Sequence, residues 1–285
     1  MHSAQELVAQ IEALTSLPTV YARIREALDD TEGSMSDIAR VISVDPALTA
    51  RLLQVVNSAL YGFGGRIDTL HRAVTILGLQ QVHDLVLAMS IGSVFAGMHP
   101  RFMDMNRFWR DSVMCGIAAR EIGRRCGLPT SERLLVIGLL SDLGHLVMYQ
   151  TVPTLANEAR TVSASGDEPL YEVERRIVGC DHAEIGATLM DHWRLPACFA
   201  EVIGAQINPR LAGDFTFEAA ILNVAAAIVQ ADRDGETSED AASRIEPVVW
   251  STLDLTVEDF SQLREAAELN LAGYLALLFP GLRGA

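Results

Sequence analysis

The chain has 285 residues, 49% of them hydrophobic and 21% charged, with a formal net charge of −15. These proportions describe a globular protein long enough for a large core and roughly one to three domains. The acid excess argues against nucleic acid or an anionic membrane surface as the default partner, because phosphates would be repelled.

Alanine and leucine recur at three- and four-residue spacing and strand signals are almost absent, so the expected class is all-α. Residues 4–14 read as an amphipathic helix, and Pro18 suits the first turn of a second one through Leu28. A capping-box-like start at Ser34 opens a helix over 35–43. Asp45-Pro46 is the clearest helix start, and that helix is expected to run through Leu60. The glycine loop after it carries Tyr61 and Phe63, a candidate partner-contact pair whose plainer reading is a packing turn. Asp68 is the expected cap of a short helix ended by Gly78, with a longer helix from Leu79 to Phe95.

A second group of helices begins near Asn106, the first of them over 108–126. Residues 134–147, L-L-V-I-G-L-L-S-D-L-G-H-L-V, read as one buried helix carrying a single carboxylate, Asp142. Such a carboxylate needs a hydrogen bond, an ion pair or a metal. Helices are expected over 153–164 and 170–179. Asp181-His182-Ala183-Glu184 is a full capping box that opens a helix to Trp193. After Pro196 come another helix, a loop over 208–215 and an alanine-rich helix over 217–231. The acidic stretch 232–240 reads as a mobile connection, followed by helices near 257–269 and 271–279. The N-terminus lacks a signal peptide pattern, no stretch is expected to span a bilayer, and the four cysteines read as reduced core residues. A cytoplasmic location is the corresponding expectation.

Residues 37–53 have a helix-turn-helix rhythm. Their second helix, however, presents Ala47, Leu48, Thr49 and Ala50, with Arg51 the one nearby cation, so helix packing outweighs base readout. A metal-dependent hydrolase would need imidazoles and carboxylates converging from several helices. Ser141 stands where a histidine beside Asp142 would make such a pair, and a hydroxyl is a poor substitute ligand. His145, one turn after Asp142, is placed to pair with it. His182 reads as a solvated residue at a helix start, with a ligand role as the sharper alternative. His192, at a helix end beside Trp193, reads as structural.

Several runs resemble the HDOD domain family: L-P-T-V-Y-A-R-I (17–24), I-A-R-V-I-S-V-D-P-A-L-T-A-R-L-L-Q-V-V-N-S-A-L-Y-G (38–62), A-V-T-I-L-G-L (73–79), W-R-D-S (109–112), G-L-L-S-D-L-G-H-L (138–146) and the run 181–196. The resemblance covers roughly residues 12–210, with the motifs in the family's order. It implies an all-α, HDOD-type multi-helix fold. An N-terminal helical lobe (1–105) would pack on an HD-like lobe (106–212), with a C-terminal helical extension over 213–285.

HDOD domains are relatives of the HD and HD-GYP metal phosphohydrolases, and the resemblance carries over residue by residue. The first metal-binding histidine of the active relatives falls at Asp111, their His-Asp pair at Ser141 and Asp142, and the lysine of their motif at His145. A later histidine is kept as His182. A histidine pair falls near Ala205 and Gln206, and a late aspartate near Ala226. Asp111, Asp142 and His182 are the one set left that could hold an ion. The resemblance thus implies a bacterial signalling module without catalysis or cofactor, which binds a protein partner or a small nucleotide-like ligand, with a second copy of the chain as one candidate partner. A residual metal-dependent phosphodiesterase is the alternative, and a DNA-binding regulator through 37–53 the second alternative.

Overall fold

The computed structural model describes residues 1–11, 19–29, 35–58, 66–95 and 98–279, and among them every regular element is a helix. The first, α1 (Ala4–Ile11), buries Leu7, Val8 and Ile11 along one stripe. The chain forms two compact units, Met1–Leu14 with Gly97–Ala272, and Thr15–Ala96 with Gly273–Ala285.

The second of these units holds α2 (Thr19–Asp29), α3 (Met35–Ser43), α4 (Pro46–Val56), α5 (Leu70–Leu77) and α6 (Leu79–Val94). The Asp45 carboxylate accepts from the backbone N–H groups of Ala47 and Leu48, with Pro46 in the first turn, as the sequence predicts. That helix stops at Val56 rather than Leu60. Asn57 closes it, its side-chain amide donating to the carbonyls of Leu53 (2.7 Å) and Ile67 (2.6 Å). Thr69, not Asp68, caps α5. Arg51 donates to the Leu278 carbonyl at 2.8 Å. Tyr61 and Phe63 lie outside the described residues.

The other unit contains α1 together with α7 (Met105–Arg125), α8 (Ser131–Leu140), α9 (Leu143–Thr151), α10 (Pro153–Ser165), α11 (Leu170–Ile177), α12 (His182–His192), α13 (Ala197–Gly204), α14 (Thr216–Asp234), α15 (Ser238–Ser243) and α16 (Pro247–Leu253). The last helix, α17 (Val257–Leu278), belongs to this unit as far as Ala272. It is continuous where the sequence suggested two helices. The expected single helix over 134–147 is broken: α8 ends at Leu140 and α9 starts at Leu143. Serine and aspartate compete for backbone groups and so weaken a helix interior. Here Ser141 Oγ donates back to the Gly138 carbonyl at 2.8 Å, and the chain turns at Asp142. The acidic stretch 232–240 is likewise not a mobile connection. Helix α14 continues to Asp234, Gly235 ends it in a left-handed conformation, and α15 follows.

The membrane expectation also needs correction. Ser131–Thr151 and Gly213–Asp234 both reach spanning length with a mean hydropathy of 1.3. The first is 78% buried inside the protein, so its apolar surface is spent on the core, and it is interrupted at Ser141–Asp142.

Helices α7 and α8 form an antiparallel hairpin that meets backbone to backbone. A Cβ on Gly116 would stand 2.5 Å from the Leu135 carbonyl oxygen, and one on Gly138 would stand 2.7 Å from the Gly116 Cα. Because the crossing lies at these glycines, Asp111 and Asp142, about one turn away on either strand of the hairpin, come to the same end. A second close crossing joins α9 to α12, where a Cβ on Gly144 would lie 1.8 Å from the His182 carbonyl oxygen. Val113, Ile117, Leu135, Leu139, Leu143 and Val147 fill the surrounding core, each burial contributing roughly 2 kcal/mol.

Gly144→Ala should therefore destabilise the protein by about 3 kcal/mol or more, since a fixed carbonyl rather than a flexible side chain blocks the methyl group. Urea denaturation checks this, and a midpoint within error of the parent would contradict the close crossing.

Candidate functional site

The capping box anticipated at Asp181 is present: its carboxylate accepts from Glu184 N–H (2.8 Å), and Glu184 accepts from Asp181 N–H (3.1 Å). Arg175 on α11 pairs with Asp181 at 2.6 Å, tying α11 to the start of α12. Glu174, the preceding residue, is thereby turned into the core with its side chain 2% exposed. It accepts from the His182 backbone N–H (3.1 Å) and from His182 Nδ1 (2.9 Å), while its other oxygen lies 2.8 Å from His145 Nε2. His182 is thus a partly buried member of a polar cluster, not the solvated residue its position suggested. Its ring stacks on His145, with centroids 4.1 Å apart and planes 13° apart.

The second nitrogen of His145, Nδ1, is bonded to Asp142 Oδ1. A neutral imidazole has one N–H, so a ring with a carboxylate at each nitrogen is matched to both partners only as the imidazolium. The electrostatics agree. Burial would lower the basicity of His145, but Asp142 and Glu174 hold its pKa well above the usual range. Burial would also raise both carboxylates, yet His145 keeps Asp142 low, and His145 with His182 keeps Glu174 low. Asp142 is therefore held by His145. Ser141 is turned to Gly138 and lies 3.5 Å from Cys115 Sγ, whose thiol burial pushes up to about 12.

Asp111, on α7, is 4% exposed and surrounded by guanidinium groups. Arg233 Nε and Nη2 reach its Oδ2 at 3.1 and 3.0 Å, and Arg110 reaches Oδ1 at 3.3 Å while pairing with Asp232 at 2.6 Å. Burial would lower the Arg233 pKa, but Asp142 and Asp111 raise it. Gln206 donates to the Ser141 carbonyl at 3.1 Å, so the helices after α12 do converge on this point. Ala226 brings no polar group. A cavity of about 330 Å³ opens over the cluster, lined by Asp111, Asp142, His145 and Arg233 among others.

The profile of the HDOD domain matches residues 14–209. The chain belongs to the HDOD domain family. A Shewanella amazonensis structure described as a "putative phosphohydrolase" superposes with a TM-score of 0.72 at 24% identity, covering 99% of each chain. An HDOD domain protein of unknown function from Geobacter sulfurreducens gives 0.72 at 18% identity over 98% of each chain. A "putative signal transduction protein" of Marinobacter aquaeolei gives 0.68 at 22% identity, over 94% of this chain and 60% of that one. These likenesses establish the fold. An uncharacterized protein of Treponema pallidum is 27% identical over 197 residues, 68% of this chain and 37% of that protein.

Of the positions singled out from the sequence, Asp142, His145 and His182 share one HDOD polar cluster, and Asp111 lies across the cavity from it. Glu174 and Arg233 were missed. Each had a visible signal. Glu174 occupies an apolar-stripe position with Leu170, Val173 and Ile177, and Arg233 continues the stripe of Leu222, Ala226 and Val229.

The pH dependence follows from the directions of these shifts. Asp142 and Glu174, depressed in the fold, contribute stability that is present above about pH 4 and lost as pH falls through their folded values. His145, raised in the fold, contributes stability that is full below about pH 6.5 and lost as pH rises through its folded value. The stability difference between the parent and His145→Gln should be largest near pH 5.5 and shrink above neutrality by about 1.4 kcal/mol per pH unit. Urea titrations across that range check it; a difference that does not change with pH would show a neutral ring. Glu174→Leu, which leaves the imidazolium half-compensated in the core, should cost on the order of 3 kcal/mol by the same measurement.

Proposed function

We propose that this chain is a non-catalytic regulatory module of the HDOD family, acting in the cytoplasm by binding a protein partner or a small ligand. The observation that carries the reading is that positive charge is already built into the site. Asp111 is matched by Arg233 and Arg110, and the Asp142–Glu174 pair by His145. A hydrolytic metal centre of the HD type needs several ligands aimed at one point and an open position for water. Of the positions carried over from active relatives, Ser141 and Ala226 supply no suitable donor, and Asp111 faces guanidinium groups.

Among the described residues, the nearest approach to a ligand set is His145, Glu174 and His182, whose donor atoms lie within 4.8 Å of one another. Imidazole lone pairs lie in the ring planes, and two stacked rings cannot both aim at one ion. Each ring instead donates to a separate oxygen of Glu174. The residues present do not fit the metal.

The name of the Marinobacter relative accords with a signalling role, while that of the Shewanella relative points to the alternative, a residual phosphodiesterase using Asp111, Asp142 and His182. Incubation with Mn²⁺ and cyclic dinucleotides tests the two readings. The expected result is no turnover and less than stoichiometric Mn, Fe or Ni in the purified protein. Turnover abolished by Asp142→Ala would establish the phosphodiesterase. A DNA-binding role through 37–53 is disfavoured by the engagement of Arg51 with the Leu278 carbonyl and by the burial of Leu48 and Leu52.

A further inference from the structure

The cavity over the polar cluster is also lined by arginine and aromatic side chains. Arg107 comes from α7, Tyr149 from α9, Arg160 from α10 and Arg233 from α14, with Phe102 and Phe108 beside them. The chain contains no lysine, so all 22 of its basic residues are arginines, and three of them border this one cavity in a protein of net charge −15. Guanidinium groups recognise planar or tetrahedral oxyanions through paired N–H donors.

Those donors are available. Arg160 is exposed and makes no hydrogen bond or ion pair among the described residues. The Arg107 side chain is 51% exposed and donates through Nη2 to the Arg233 carbonyl at 3.0 Å, leaving further N–H groups. Arg233 is 32% exposed and spends two of its nitrogens on Asp111. The carboxylates are engaged in part: Asp111 is buried, Asp142 is 28% exposed and bound to His145, and the exposed Asp104 accepts from the Asn106 and Arg107 N–H groups at the start of α7.

Tyr149 supplies an independent sign. It lines the cavity and is 5% exposed, yet its hydroxyl has no hydrogen-bond partner among the described residues. A desolvated hydroxyl left unsatisfied is unfavourable for the folded chain by itself, and a ligand oxygen would satisfy it. The volume of about 330 Å³ falls in the range of small-molecule sites, and the aromatic lining suits a flat ring.

We infer that this cavity binds a small organic phosphate, its oxyanion held by Arg160, Arg107 and Arg233 with the Tyr149 hydroxyl, and its ring set against Phe102 and Phe108. The inference rests on the non-catalytic reading of the site and names the ligand class for it. Adenosine 5′-monophosphate serves as the probe, with adenosine and inorganic phosphate as partial probes, in calorimetric titration of the full chain. The expected result is saturable binding of the monophosphate, weakened about tenfold or more by Arg160→Ala and by Tyr149→Phe, and weaker for adenosine.

Tyr149→Phe should leave the unliganded melting temperature unchanged or raised, because it removes the unsatisfied hydroxyl. If that variant folds poorly, Arg160→Ala carries the test, since its side chain is exposed. Absence of saturable binding at millimolar probe, or binding equal in parent and Arg160→Ala, would overturn the site while leaving the non-catalytic reading intact. Release of phosphate from the bound probe would overturn the non-catalytic reading and leave the site standing.

Discussion

One imidazolium compensates the negative charge of the polar cluster formed by Asp142, Glu174 and His182. Asp142, partly buried, and Glu174, fully buried, come from different segments, and their mutual repulsion in a low-dielectric surrounding would favour protonation or unfolding. His145 stands between them and offers an N–H to each. That arrangement is possible because Gly144, the preceding residue, lets α9 lie against the backbone of α12, which brings the His182 ring onto His145 and the His182 N–H groups onto Glu174. The break between α8 and α9, the crossing with α12 and the orientation of α11 all serve the same cluster.

Across the cavity the same problem has a second solution. Asp111 is compensated by Arg233 and Arg110, which reach it from its own helix and from α14. In both places a protonated side chain occupies the electrostatic role that a divalent ion fills in a hydrolytic centre. The difference is chemical. A metal leaves a coordination position for water and lowers the pKa of that water, whereas a guanidinium or imidazolium neutralises charge and generates no nucleophile. A polar cavity of about 330 Å³ lies over both, bordered by Arg107, Arg160 and Arg233.

Much of the fold is legible in the residues themselves. The N-cap at Asp45, the capping box at Asp181 and the boundaries of α3 and α12 follow from local chemistry, because a cap is satisfied by groups two or three residues away. The misreadings share a different cause. The interruption at Ser141–Asp142 depends on where their side chains find partners, and an unbroken apolar pattern hides it. The helical course through Asp232–Asp234 was obscured by an acidic composition that resembles a linker, although Arg233 and Asp232 are committed to α7. His182 looked solvated because its partner, Glu174, lies on another helix.

The sequence by itself determined the all-α class and the family, since each is a matter of local pattern or residue identity. It also placed Asp142 in an apolar stretch and so posed the question of what holds it. Only the tertiary structure decided the answer. Pairing His145 with both Asp142 and Glu174, and Arg233 with Asp111, requires helices up to 122 residues apart in the chain to converge. Such neighbours are set by close backbone crossings at glycines and by the packing of the surrounding core, which no periodicity within a single helix encodes.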